Sequence, residues 1–144
     1  MSEPYLALQV IMMPKDANPH PTVLPNFGGN ALYATIFGGV ILSYIDQAGA
    51  IGARHAVVEA GGPRPMLVTV AMNRVEFKYP VFVGDLVRFM TSNVRLGRTS
   101  VTVQVRVEVH RDGAPPLHVT EAEVVYVAID SSSPERRPVP LLPQ

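Results

Sequence analysis

The chain changes hydrophobic period once, and that change divides it. From Thr35 to His55 apolar positions recur every three or four residues, with Ile41, Tyr44, Ile45, Ala48 and Gly52 on one stripe. Gly39, Ser43, Asp46, Gln47, Ala50 and Arg54 fall on the other side. The spacing predicts a helix from Ile36 or Phe37 to about His55. From Leu67 onward the period is two. The pattern predicts strands at Leu67–Phe77, Leu86–Leu96, around the alternating Val101, Val103, Val105, Val107 and Val109, and at His118–Ile129. Gly97-Arg98 and Asp112-Gly113 read as tight turns between them. A further strand is expected at Tyr5–Met13, stopped by Pro14. Residues 78–85 read as a turn or bulge. The inner stripe of the helix is small near its end, at Ala48, Gly49, Gly52 and Ala53. Each helical glycine costs roughly 1 kcal/mol against alanine, so another backbone, that of a sheet, is expected to lie very close.

Between the first strand and the helix, residues 15–34 carry several prolines and the Gly28-Gly29 pair, which argues against regular structure there. A loop this long in a compact domain is usually functional or disordered. The stretch after Asp130, with Pro134, Pro138, Pro140 and Pro143, reads as a loose tail. The expected organisation is one domain over residues 1–130, with a loop insertion at about 19–34 and a tail at 131–144. The fold class is α+β: one long helix and a curved antiparallel sheet. One helix cannot cover both faces of such a sheet, so part of the surface is expected to bury against a second copy.

Composition narrows the chemistry. Lys+Arg and Asp+Glu are both 12, so there is no electrostatic case for nucleic acid or an acidic membrane surface. The absence of cysteine excludes disulfides, thiolate metal sites and cysteine nucleophiles. The four histidines, His20, His55, His110 and His118, show no metal-ligand spacing. The N-terminus does not read as a signal peptide, and no apolar run approaches the roughly 20 residues of a membrane helix. A soluble cytoplasmic protein is expected. Two features remain as candidate chemistry. Gly38-Gly39 leaves the first free amides of the helix unobstructed, where an anion or developing oxyanion could be held. Asp46 is the one carboxylate of the helix, two turns further on.

These elements together resemble a known family. Met13-Pro-Lys-Asp-Ala-Asn18, Ile36-Phe-Gly-Gly-Val-Ile-Leu-Ser-Tyr-Ile-Asp-Gln-Ala-Gly-Ala50, Val68-Thr-Val-Ala71, Pro80-Val-Phe-Val-Gly-Asp85 and Gly97-Arg-Thr-Ser100 resemble the hotdog-fold acyl-CoA thioester hydrolases of broad specificity, both the bacterial enzymes and the brain acyl-CoA hydrolase. The resemblance implies hydrolysis of acyl-CoA to free acid and coenzyme A, with no cofactor beyond the coenzyme A of substrate and product. It implies Asp46 as general base or nucleophile and a backbone amide, that of Gly39, as oxyanion donor. Thr35 takes the family's second site position, where Asn or Asp is usual; Thr can orient a water but cannot act as a base. Gly38 and the backbone of Val70 and Ala71 would bind substrate, and Arg98, Thr99 and Ser100 the coenzyme A phosphates. A second departure is the loop, about 12 residues longer than in the family, roughly Pro19 to Asn30; Leu24 and Phe27 there are expected to limit acyl chain length.

Geometry adds an expectation of its own. Gly39 and Asp46 are seven residues apart, roughly 10 Å along a helix at 1.5 Å per residue. They cannot both touch one carbonyl, so the site is expected to combine two copies in a homodimer, or a hexamer of three dimers, as the family also implies. Two other readings stand beside the hydrolase. One is an acyl-CoA-binding sensor or scaffold without turnover, suggested by Thr35. The other is a hydratase-dehydratase, suggested by a loop around His20 that resembles that of hydroxyacyl-carrier dehydratases.

Overall fold

In the computed structural model, residues 3–20, 22–23 and 32–143 are described. The element order is β1 (Tyr5–Ile11), a 3-10 turn at Pro14–Asp16, β2 (Thr22–Val23), β3 (Leu32–Tyr33), α1 (Gly38–Glu59), β4 (Leu67–Phe77), β5 (Leu86–Leu96), β6 (Ser100–His110) and β7 (Leu117–Ala128). Five strands form one antiparallel sheet in the order β1-β5-β6-β7-β4. The helix lies across its inner face, packed mainly on β5, β6 and β1 and least on β4. This is the hotdog fold.

The period-two pattern lays the core directly. Val101, Val103, Val105, Val107 and Val109 of β6 are all buried, as are Val87 and Phe89 of β5 and Ala122, Val124, Tyr126 and Ala128 of β7. Ile41, Ile45, Ala48, Ala53 and Val57 of α1 complete the core. On β7 both Val119 and Thr120 are buried, because a bulge against Val107 and Glu108 breaks the alternation there.

Several expectations are corrected. The helix starts at Gly38 and runs one turn past His55 to Glu59, with Phe37 as an extended N-cap. Thr35 and Ile36 lie outside it, bridged to Phe82 and Ala17. The helix glycines face side chains of the sheet rather than its backbone. A Cβ on Gly49 would run into the Tyr126 phenol, and one on Gly52 would lie 2.6 Å from the Thr91 Cβ. The loop contains regular structure after all: the 3-10 turn and the β2–β3 ladder, with Thr22 opposite Tyr33 and Val23 opposite Leu32. Leu24 and Phe27 lie outside the described residues. Residues after Asp130, expected to be loose, dock onto the domain. Leu141 is buried and donates its amide to the Arg98 carbonyl, and Val139 donates to that of Ala128.

The turn after β4 is held by an ion pair between the buried Asp85 and the partly exposed Arg111. Arg111 donates Nε to Asp85 Oδ1 at 2.9 Å and Nη2 to Oδ2 at 2.7 Å, a two-pronged arrangement. Asp85 Oδ2 also accepts the Phe82 amide at 2.8 Å. The hydrogen bond that Arg111 donates to Asp85 raises the Arg111 pKa above its usual value, against the opposing effect of burial. Gly84, at φ +92, closes this turn where a side chain would be strained. The turn matters for the site because Phe82 pairs with Thr35 and the Ile36 amide donates to Val81.

Candidate active site

Asp46 leaves α1 toward β4 and β7. Its Oδ1 accepts the Thr69 hydroxyl at 2.7 Å and lies 3.2 Å from the Tyr126 hydroxyl. The same phenol is 2.6 Å from the Asp46 main-chain carbonyl. Among the described residues, Oδ2 has no hydrogen-bond partner. Asp46 is half-buried and Tyr126 fully buried. Burial first, then the Asp46 charge and the hydrogen bond to it, push the phenol pKa far above its ordinary value. Tyr126 is therefore a hydroxyl donor throughout the working pH range.

The other candidate residues lie around the helix start. The amides of Gly38 and Gly39 come before the first helical hydrogen bond, from the Val40 amide to Phe37, so neither has an acceptor within the helix. Their surroundings differ. Gly38 opens, with Thr35, Ile41 and Phe77, on a cleft of about 250 Å³. Gly39 opens, with Asp16, Ser43 and Gln47, on one of about 450 Å³, and the exposed Phe37 ring lies over it. Asp46 lines neither cleft. The Thr35 hydroxyl accepts the Asn18 side-chain amide at 3.0 Å, and the Asn18 amide donates to the Thr35 carbonyl. That leaves the Thr35 hydroxyl proton directed elsewhere. The structure thus separates the Thr35–Gly39 end of a protomer from its own Asp46, as the helical rise requires.

Strand register places the remaining candidates. Thr69 of β4 and Val101 of β6 both stand opposite Tyr126. Arg98, Thr99 and Ser100 therefore lie one to three residues beyond the Asp46 row, at the same end of the sheet. The Arg98 and Thr99 carbonyls are tied to the amides of Leu141 and Ala128. Val70 is the extra residue of a bulge: Thr69 pairs with Tyr126 and Ala71 with Val125. Val70 is 55 % exposed on an edge strand that has no neighbour beyond it among the described residues, so an extended ligand or a second chain can reach this backbone.

Thr69, Tyr126 and Asn18 were not singled out in the sequence. A signal existed for Tyr126. It stands at an inward position of a valine-rich strand, and a buried phenol needs a hydrogen-bond partner. Gly49, where a larger residue would favour the helix, marks the gap that receives it.

A hotdog fold with a carboxylate on its helix and open amides at the helix start defines a class. The chain belongs to the thioesterase superfamily, whose profile matches residues 33–114. Its relatives include the acyl-CoA thioester hydrolase YciA of Escherichia coli, 32% identical over 137 residues that cover 92% of this chain and 87% of the relative. An uncharacterized acyl-CoA thioester hydrolase of Buchnera aphidicola is 33% identical over 142 residues, 96% of this chain and 89% of the relative. Among solved structures, the hexameric hotdog-fold thioesterase of Campylobacter jejuni is similar, with a TM-score of 0.70 and 35% identity over 93% of this chain and 89% of that one. The hexameric thioesterase of Yersinia pestis matches with a TM-score of 0.74 and 29% identity over 100% of this chain and 99% of that one.

Proposed function

We propose that this chain hydrolyses acyl-CoA thioesters to free acid and coenzyme A, with Asp46 as the acting carboxylate. The observation that carries this is the Asp46 side chain itself: half-buried, held at Oδ1 by Thr69, and with Oδ2 left open. As general base, the carboxylate takes a proton from water while the water oxygen bonds to the thioester carbon. As nucleophile, it bonds to that carbon and water then cleaves the anhydride. Either way the carbonyl oxygen becomes an oxyanion, and the open amide of Gly39 is suited to hold it. The carbon–sulfur bond then breaks and the coenzyme A thiolate takes up a proton. Thr35, backed by Asn18, orients water. The bulged backbone at Val70 and Ala71 is suited to the pantetheine arm, Gly38 to the acyl carbonyl end, and Arg98, Thr99 and Ser100 to phosphate.

The separation of Gly39 from Asp46 supports a site built from two protomers, and the hexameric relatives support assembly beyond the dimer. In this reading the protein works as a homodimer or as three dimers in a hexamer, in the cytoplasm, with no cofactor, nucleic acid or membrane partner.

The test is thiol release from a panel of acyl-CoA esters by wild type and Asp46→Asn, with circular dichroism to verify folding. The substitution keeps shape and removes charge, so turnover should fall by roughly 10²–10⁴ while coenzyme A still binds. A folded variant with near-normal turnover removes the catalytic assignment. Binding of acyl-CoA by wild type without turnover would favour the sensor reading that Thr35 suggests.

A further inference from the structure

We propose that Tyr126 is a positioning residue for Asp46: through the gap that Gly49 leaves in α1, its hydroxyl pins that residue so that Oδ1 is anchored and Oδ2 is the oxygen presented to the reaction. This rests on the reading of Asp46 above and deepens it, since it names the oxygen that acts and the group that selects it.

Three observations carry the inference. First, the Tyr126 hydroxyl meets both polar ends of one residue, the Asp46 carbonyl at 2.6 Å and Oδ1 at 3.2 Å. A phenol has one proton to donate, but whichever acceptor takes it, the residue held is Asp46. The Asp46 carbonyl is part of one turn of the helix, so the hydroxyl is seated in the turn that carries the carboxylate. Second, the seat is specific to glycine. A Cβ at Gly49 would overlap the Tyr126 Oη and lie 3.1 Å from Cζ and 3.2 Å from Cε2. A glycine in mid-helix is unfavourable against alanine, and here it opens the path between a sheet side chain and the carboxylate-bearing turn. Third, Thr69 approaches the same oxygen from β4 at 2.7 Å. Thr69 donates to Oδ1 and the Tyr126 hydroxyl stands 3.2 Å from the same oxygen while holding the Asp46 turn, so Oδ1 is the oxygen on the anchored side. The carboxylate then has one oxygen left, Oδ2, to accept the proton of water or to bond to the thioester carbon.

Facing groups add no competing charge. Asp46 meets Thr69 from β4 and Tyr126 from β7, and among the described residues no cation forms an ion pair with it. Within the protomer, the side-chain groups that meet the carboxylate are hydroxyls.

The experiment measures kcat and KM for thiol release by Tyr126→Phe, Asp46→Asn, the pair combined, and Gly49→Ala with Tyr126→Phe. Tyr126→Phe should lower kcat about tenfold, as expected for losing a hydrogen bond to a charged group, and leave KM within about twofold. In the Asp46→Asn background the same change should cost nothing further, because residues that act as a unit are not additive. The Gly49→Ala, Tyr126→Phe protein fills the space of the lost hydroxyl, so folding is preserved while kcat stays low. Tyr126→Phe with kcat within about twofold of wild type, beside an impaired Asp46→Asn, overturns the inference and leaves the site reading intact. So does full recovery of kcat in the space-filled protein, which would make the hydroxyl a packing group only. Near-normal turnover by Asp46→Asn removes the site reading and this inference with it.

Discussion

Gly49→Ala tests the packing on which the Asp46 turn depends. The new methyl would overlap the Tyr126 Oη and press on Cζ and Cε2 at 3.1 and 3.2 Å. Tyr126 is buried, so its ring has no free space to swing into. Overpacking of this kind costs about 1–3 kcal/mol, and displacing the hydroxyl forfeits a hydrogen bond worth about 1 kcal/mol. Against this, alanine gains about 1 kcal/mol over glycine in a helix, and Gly49 is not among the glycines at positive φ. The net expectation is a loss of about 2 kcal/mol, or about 4–8 °C in Tm for a chain near this size. With Tyr126→Phe already present the overlapping atom is gone, the ring contacts need give only by a few tenths of an ångström, and the alanine gain remains. Adding Gly49→Ala should then change stability by less than about 0.5 kcal/mol, so the coupling between the two sites is about 2 kcal/mol. Urea and thermal unfolding of the four proteins, at one protein concentration because assembly shifts apparent stability, give that coupling. Additivity within about 0.5 kcal/mol would refute the argument that Gly49 exists to admit the Tyr126 hydroxyl.

Two further outcomes are expected. His118 on β7 has its pKa lowered below 6.5, first by burial and then by Arg106 and Lys78, partly offset by Glu121; among the described residues its buried Nε2 has no hydrogen-bond partner, with Glu121 Oε2 3.7 Å away. The unfolded chain therefore binds this proton more readily than the fold. Stability should be lost as pH falls below about 6.5, and the Tm of His118→Gln between pH 7.5 and pH 5 should fall less steeply than that of wild type. The second outcome concerns assembly: activity should sediment as a dimer or larger species, and an active monomer would rule out a site shared between protomers.

Strand positions were legible because one physical signal dominates them. Val101 to Val109 alternate with polar residues, and the buried side is the valine side throughout. The Leu86–Leu96 boundaries coincide with the observed strand for the same reason, and the Leu67–Phe77 boundaries coincide as well, although burial along that edge strand does not alternate. What the period could not give was the order β1-β5-β6-β7-β4, since the pairing of β4 with β7 instead of its sequence neighbour β5 is a non-local fact. The bulges were equally hidden, because the left-handed residues within β4 and β5 are Arg74 and Asn93 and no glycine marks them. The tail was misjudged for a related reason. Its prolines exclude helix and central strand, but they do not prevent Leu141 from being buried, with its carbonyl and the Leu142 side chain set against Gly62.

The site divides along the same line. Asp46 could be located because it is the first charged residue of the helix and eight residues from the next, Arg54, which is a local feature, and Gly38-Gly39 because a glycine pair at a helix start is another. Thr69 and Tyr126 come from strands that are 23 and 80 residues away in sequence from the carboxylate they hold. Only the fold brings them to it. The helix glycines were the trace of that contact visible beforehand. Their cost implied a close neighbour, and the expectation of a sheet backbone was half right, since the neighbour belongs to the sheet but is a side chain. For Gly52 that side chain is the buried Thr91, whose hydroxyl donates to the Tyr5 carbonyl at 3.4 Å and so joins the helix seat to β1. For Gly49 it is a phenol whose one proton goes to the residue proposed to act. Two glycines of one helix thus admit two hydroxyls, and only the one beside Asp46 has a polar target in the site.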